Sequence, residues 1–120
     1  MMFFFDTYAI FEIIDGNPAY NRFGDETIKT SVSNLGELYY GLLLRGKKPK
    51  ADAWFAFLQP DLVEIDPETM RHAMTFRHAH KKENLSMTDC VGYMLARKLN
   101  ALFLTGDQGF KNMPHVEFVK

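Results

Sequence analysis

Residues 85–110 read LSMTDCVGYMLARKLNALFLTGDQGF, and the prediction of the fold begins with this segment. Residues 86–99 have the apolar spacing and the hydroxyl residue at the start that are typical of a helix. Residues 101–105 form a short, continuous apolar run, which is typical of a strand buried on both faces. Each element carries an acid, because Asp89 lies in the first turn of the helix and Asp107 lies just beyond the strand.

Strands and helices alternate along the rest of the chain. The predicted strands are residues 2–5, 27–32, 62–65, 101–105 and 116–119. The predicted helices are residues 7–14, 33–45, 51–58, 66–83 and 86–99, with a basic connector at 47–50. Parallel strands need crossover connections, and the helices between these strands supply them. The sequence therefore predicts one α/β domain at residues 1–120, with three layers, α/β/α, and a mainly parallel central sheet of four to five strands.

The helix predicted at residues 33–45 has an unusual distribution of apolar side chains. We expect Ser33 to be its N-cap, which puts Glu37 in its first turn. Tyr40 and Leu44 lie opposite the main leucine stripe, so the helix is apolar nearly all round. A helix with two apolar faces needs a second surface to pack against, and this pattern predicts a contact with a protein partner.

Composition excludes several classes of protein. The chain has 120 residues, of which 47% are hydrophobic, and a net charge of −1 from 14 basic and 15 acidic side chains. A general basic coat is absent, so any contact with RNA must come from a local patch. Cys90 is the one cysteine, which excludes an internal disulfide and fits a reducing compartment. The apolar start at residues 1–5 is too short for a signal peptide or a membrane span, and we expect a cytoplasmic protein.

Four acids are predicted at ends of elements that meet at one edge of the sheet. Asp6 and Asp107 follow strands, while Glu37 and Asp89 lie in first helical turns. Each has an ordinary explanation when taken alone, as a helix cap, a turn residue or a solvated acid. Together they would repel one another and raise each other's pKa, and a divalent cation would relieve that repulsion. Oxygen ligands suit Mg²⁺ or Mn²⁺, so the sequence predicts a metal site made of these four side chains.

A magnesium ion held by carboxylates is suited to the hydrolysis of phosphodiesters by water, with one metal or two. No side-chain nucleophile is then needed. A phosphatase with an aspartyl nucleophile is a less suitable alternative. Such enzymes usually carry a second aspartate two residues after the first, and here that position is Tyr8.

Four strings of residues follow one another in a distinctive order. They are Phe4-Phe5-Asp6-Thr7, Asn34-Leu35-Gly36-Glu37-Leu38, Thr88-Asp89-Cys90 and Leu104-Thr105-Gly106-Asp107-Gln108-Gly109-Phe110. In this order they resemble the PIN domain family, and most of all the small single-domain type represented by the VapC toxins of toxin–antitoxin pairs. The resemblance covers nearly the whole chain.

The resemblance implies a metal-dependent endoribonuclease that acts on RNA. It implies that Asp6, Asp89 and Asp107, with Glu37, are the catalytic residues and the ligands of Mg²⁺ or Mn²⁺, and that Thr105 supports them. It further implies a toxin that is held in check by a cognate antitoxin protein and that forms a homodimer.

The chain also departs from the family. Asn100 stands where many relatives have glycine, Gly109 stands where relatives often have a polar residue, and residues 15–27 have no clear match. The alternative to a nuclease is a PIN-like module that binds RNA or protein in RNA processing and does not cut, and the presence of all four acids argues against it.

Two clusters lie outside the predicted site. A basic and histidine-rich helix carries Arg71, His72, Arg77, His78, His80, Lys81 and Lys82. We interpret it as a solvated face, since His78 and His80 point away from each other on a helix, although it could also face RNA or a partner. The second cluster is Trp54, Phe55 and Phe57. Packing in the core or in a dimer interface suits it better than stacking on bases.

Overall fold

A parallel sheet separates two layers of helices in the computed structural model, which describes residues 1–120. The strands are β1 (Phe3–Phe5), β2 (Leu102–Thr105) and β3 (Val116–Phe118). The helices are α1 (Thr7–Ile14), α2 (Val32–Leu44), α3 (Lys48–Leu58), α4 (Pro67–Ala79) and α5 (Met87–Lys98). Short 3₁₀ turns cover Pro18–Phe23, Gln59–Asp61, Lys81–Glu83 and Gln108–Phe110. None of the helices is both long enough and apolar enough to cross a membrane.

The sheet has the order β1-β2-β3 with every pair parallel, which confirms the predicted α/β class. The predicted number of strands was wrong, because the structure has three. Residues 27–32 and 62–65 join the sheet only through single bridges, between Phe4 and Lys29 and between Ser31 and Val63. Their pairing stops early because α2 begins at Val32 and carries the chain away from the sheet.

Side chains of each strand alternate between two separate cores. Phe5 and Leu104 pack against the layer of α1, α2 and α3, where Ile10, Leu35, Leu38, Leu42 and Leu58 are buried. Phe4 and Phe103 pack against the layer of α4 and α5, where Ala73, Val91, Tyr93, Leu95 and Ala96 are buried. Helices on both faces leave only the ends of the strands open to a ligand, as in other open parallel sheets.

Glycine allows α5 to lie close to the sheet. A Cβ atom on Gly92 would stand 3.0 Å from ring atoms of both Phe103 and Phe4. This contact is tighter than side chains normally make, so Gly92 fixes how near the helix approaches the strands. Asp89 is one turn earlier on α5, and the approach therefore brings it to the carboxyl end of β1 and β2.

Three helix boundaries differ from the prediction. The N-cap of α2 is Ser31 rather than Ser33, since the Asn34 N–H donates to Ser31 Oγ over 3.2 Å, and Glu37 consequently lies in the second turn. The predicted connector at 47–50 is wrong, because α3 starts at Lys48 with a proline in its first turn, where the fixed φ of proline suits a helix. α4 ends at Ala79 and gives way to a 3₁₀ turn, before the predicted end at residue 83.

Candidate metal centre

Asp6 is the most buried acid of the predicted site. It follows β1, caps α1, and is only 2% exposed. Its Oδ1 accepts the Thr7 N–H over 2.9 Å, and its Oδ2 accepts the Thr105 hydroxyl over 2.7 Å. Burial, and then the negative charge of Asp89, raise the pKa of Asp6 to about 8. A carboxyl group in this position holds its proton near neutral pH unless a cation compensates its charge.

Glu37 reaches the same end of the sheet from α2. Its Oε1 accepts the Thr7 hydroxyl over 2.8 Å, and that hydroxyl in turn accepts an N–H of the Asn34 side chain over 3.0 Å. Burial of the carboxyl group raises the pKa of Glu37, and the charge of Asp89 adds to the rise. Thr7 thus links Glu37 to the loop that carries Asp6.

Asp89 belongs to a capping box at the start of α5. Its Oδ2 accepts the Ser86 N–H over 2.9 Å, and its own N–H donates to Ser86 Oγ over 3.1 Å. Burial raises the pKa of Asp89, and the negative charge of Asp107 acts in the same direction. The start of α5 is fixed against α2 by a hydrogen bond of 2.7 Å between the hydroxyls of Ser33 and Thr88.

Asp107 follows β2 and is held by two short turns. Its N–H donates to the Thr105 hydroxyl oxygen over 3.1 Å, and its Oδ1 accepts the Gly109 N–H over 3.0 Å. Thr105 is fully buried, and its one hydroxyl both donates to Asp6 and accepts from Asp107. This hydroxyl ties the ends of β1 and β2 together.

The four acids have no cation to neutralise them. Every salt bridge in the structure uses another acid, namely Asp15, Asp52, Asp66, Glu68 or Glu117. The charge of Arg77 partly opposes the rise in the pKa of Asp89, but Arg77 forms no salt bridge with that acid. As the side chains stand, no three histidines, cysteines or acids form a group that could hold a metal ion. The donor set nevertheless fits Mg²⁺ or Mn²⁺ chemically, because it consists of carboxylate oxygens without a compensating charge.

The structure thus brings the predicted site residues together. Hydrogen bonds connect some of them, and the others are close enough for their charges to raise one another's pKa. Thr105 connects Asp6 with Asp107, Thr7 connects Glu37 with the start of α1, and the charge of Asp89 acts on both Asp6 and Glu37. The role of these acids as metal ligands stays a prediction.

Sequence reasoning missed three polar contributors, namely Thr7, Asn34 and the hydroxyl pair of Ser33 and Thr88. The role of Thr7 could have been predicted, because a threonine next to an acid at the end of a strand can donate a hydrogen bond from its hydroxyl to another side chain of the site. Ser33 was predicted only as a cap. Its contact with Thr88 spans 55 positions of sequence, so only the packing of α2 on α5 reveals it.

The two clusters outside the site have mixed outcomes. Arg77, predicted to lie on a solvated face, is exposed but donates from Nε to the Leu85 carbonyl over 3.0 Å. His72 and His78 are exposed, as expected for that face. Phe57 is 65% exposed and so does not pack in the core, because α3 turns only Ala51 and Leu58 fully inward. The other half of that prediction, packing in a dimer interface, stays a prediction.

Comparisons with known proteins agree with the fold. The model of the PIN domain family matches residues 3–116. No curated protein matches the chain by sequence. One similar solved structure is a toxin–antitoxin complex from Klebsiella pneumoniae, with a TM-score of 0.75 and 15% identity, covering 98% of this chain and 96% of that chain.

Two further solved structures share the fold. One is VapBC2 from Rickettsia felis bound to a DNA fragment from its promoter, with a TM-score of 0.71 and 20% identity, covering 99% of this chain and 98% of that chain. The other is VapBC-1 from nontypeable Haemophilus influenzae, with a TM-score of 0.73 and 16% identity, covering 100% of this chain and 98% of that chain. The predicted resemblance is confirmed, since the family model spans nearly all of the sequence, and the chain belongs to the PIN domain family.

Proposed function

We propose that this protein is a Mg²⁺- or Mn²⁺-dependent endoribonuclease and the toxin of a toxin–antitoxin pair. The observation that carries the proposal is the environment of Asp6, which is buried, repelled by Asp89 and without a basic partner. An isolated buried carboxylate opposes folding, and proteins retain such groups where they bind cations or do chemistry. Membership of the PIN domain family supports nuclease chemistry for this group.

Asp6, Glu37, Asp89 and Asp107 would hold the metal. When bound, the ion would activate water and neutralise charge on the phosphate that is cut. Thr105 orients Asp6 through its hydroxyl, and Thr7 orients Glu37 in the same way. Asp6 releases its proton when a cation binds, because the cation replaces that proton as the compensating charge. Metal affinity therefore rises with pH up to about 8, the pKa of Asp6.

A protein partner is part of the proposal. Exposed apolar side chains lie on α2 and α3, where Tyr40 is 64%, Leu44 is 71% and Phe57 is 65% exposed. Large exposed apolar groups mark surfaces for protein contact. The solved structures that share the fold are described as toxin–antitoxin or VapBC complexes, which supports a cognate antitoxin for this chain. We further propose a homodimer in the cytoplasm, where its RNA substrate is found.

The test is cleavage of single-stranded and hairpin RNA with Mg²⁺, with Mn²⁺ and with EDTA. We expect cleavage with either metal and none with EDTA. Asp89→Asn should reduce the rate by more than about 100-fold, since even groups that only orient a metal ligand contribute 10–100-fold. Asp52→Asn is the matched control, because Asp52 is an exposed acid paired with Lys48 away from the site.

Two results would contradict the proposal. One is RNA cleavage that persists in EDTA, and the other is full activity in Asp89→Asn. If the wild-type protein binds neither metal by calorimetry, the remaining candidate is a PIN module that binds RNA or protein without cutting.

A further inference from the structure

A polar cavity of about 340 Å³ opens next to Asp107. Its lining consists of His80, Glu83, Gln108, Gly109, Asn112 and Met113. The cavity adjoins the candidate metal centre, because the Gly109 N–H donates to Asp107 Oδ1 over 3.0 Å. Its volume lies within the range of about 300–1,000 Å³ that is usual for ligand pockets.

Gly109 sets the spacing of the cavity walls. A Cβ atom there would come within 2.6 Å of Leu85 Cδ2 and 3.6 Å of the Glu83 carbonyl oxygen. A side chain at this position would have to displace the end of the Leu85 side chain, so glycine lets the 108–110 turn pack close to residues 83–85.

His80 offers a flat ring that two contacts with Phe76 hold in place. Its imidazole stacks on Phe76 with the ring centroids 4.1 Å apart and an interplanar angle of 28°. Its Nδ1 lies 3.1 Å from the Phe76 carbonyl oxygen, which can only accept, so Nδ1 is the donor in this hydrogen bond. A ring supported in this way is suited to stacking on a nucleobase.

The other polar side chains of the cavity are free to meet a ligand. Glu83, Gln108 and Asn112 are exposed to solvent, and no hydrogen bond within the chain holds their side chains. The amides both donate and accept, whereas the carboxylate only accepts. A carboxylate selects a base that presents N–H donors, and guanine presents two adjacent ones on its Watson–Crick edge.

Arg77 is a basic side chain close to the candidate metal centre, since its charge acts on Asp89. It lies in the last turn of α4, three residues before His80, the C-cap residue of the helix. Its Nε is fixed on the Leu85 carbonyl. A guanidinium of this kind is a good partner for a phosphate of bound RNA.

We propose that this cavity is a nucleobase subsite that holds one unpaired guanine of the RNA beside the candidate metal centre. The proposal rests on the proposed nuclease function and adds to it the residues that select the sequence to be cut. His80 stacks on the base, Glu83 accepts from its N–H groups, and Asn112 and Gln108 bind the remaining edge.

The first test uses the four nucleoside 5′-monophosphates in EDTA, with binding followed by NMR. We expect GMP to shift the amide signals of residues 80–83 and 108–113 more than the other nucleotides do. Glu83→Gln and His80→Ala should each weaken GMP binding about tenfold, the value of one charge-assisted hydrogen bond or one stacking contact. His80→Phe, which keeps a ring, should retain most of the affinity. Glu26→Gln, an exposed acid elsewhere, is the matched control.

The second test sequences the ends produced from a random RNA pool. We expect guanine to be enriched next to the cut, and Glu83→Gln to change that enrichment. GMP binding without any RNA cleavage would overturn the nuclease function and leave the subsite standing. RNA cleavage with no base preference, together with no GMP signal at residues 80–83 and 108–113, would overturn the subsite alone.

Discussion

Asp6 and Asp66 both cap the N-terminus of a helix, but their surroundings differ. Each begins a helix and accepts a backbone N–H, Asp6 from Thr7 over 2.9 Å and Asp66 from Thr69 over 2.8 Å. Asp66 is partly exposed and binds Lys98 Nζ over 2.7 Å, and this ion pair lowers its pKa. Asp6 is buried, has no basic partner, and has a pKa raised to about 8.

The two aspartates therefore differ in whether their negative charge stabilises the folded protein. The charge of Asp66 is favourable in the folded protein, because water and a lysine solvate it. The charge of Asp6 is unfavourable there, because burial and Asp89 both oppose it. An asparagine would cap α1 and avoid that charge, so an aspartate at position 6 indicates a role that needs the negative oxygen.

The largest expected effect is on catalysis. Asp6→Asn should reduce RNA cleavage by more than about 100-fold, because it removes the negative charge of a proposed metal ligand. Asp66→Asn should leave the cleavage rate unchanged, since Asp66 binds Lys98 at the end of α5 opposite to Asp89. Both rates are measured on one RNA substrate with Mg²⁺, and circular dichroism checks that both variants are folded. Equal rates for the two variants would contradict the distinction between the two aspartates.

The two aspartates also differ in how well the sequence predicted them. The sequence predicted Asp66 as a helix cap, because a proline and an acid follow it directly. The structure confirms that Asp66 is the N-cap of α4. The PIN domain family was predicted from a resemblance of four strings of residues and their order, and the family model confirms it. The burial of Asp6 depends on how α1 and β2 close over it, so its sequence neighbours could not give the size of its pKa shift.

Other features were not predicted correctly, because the local sequence is compatible with more than one structure. Ser31 and Ser33 are both suitable caps, and only the packing of α2 selects Ser31. The β-branched segment at 27–32 has the composition of a strand, but the helix that starts at Val32 cuts its pairing short. The cavity beside Asp107 joins His80 to Asn112 across 32 positions, and no short motif signals such a contact.

A smaller effect is expected from the hydroxyl that orients Asp6. Thr105→Val keeps the shape of the side chain but removes the donor to Asp6 Oδ2 and the acceptor for the Asp107 N–H. We expect a 10–100-fold loss of metal affinity, measured by calorimetry, and a similar loss in cleavage. Thr75→Val is the control, because the Thr75 hydroxyl is exposed and donates only to the Arg71 carbonyl. Metal affinity that is the same in both variants would show that Thr105 does not position the site.

The smallest expected effect is on stability, and it has opposite signs at the two aspartates. Asp6 has a folded pKa of about 8 against an ordinary value of 3.8, so the folded state binds its proton more strongly between these pH values. The unfolding free energy of the wild-type protein therefore falls as pH rises through this window. Asp6→Asn has no such proton and should be more stable than wild type at pH 8 by at least about 1.4 kcal/mol, the value of one pKa unit.

Asp66→Asn should behave in the opposite way. The pKa of Asp66 is lowered in the folded protein, so its contribution to stability is present above its ordinary value of 3.8 and is lost as pH falls below it. The variant should accordingly be less stable than wild type at pH 7 and should approach wild type in acid. Urea unfolding in EDTA at several pH values measures both variants without a contribution from bound metal. A loss of stability at pH 8 in Asp6→Asn would mean that the buried carboxylate is solvated well enough to stabilise the fold, and the argument for a functional charge at this position would fail.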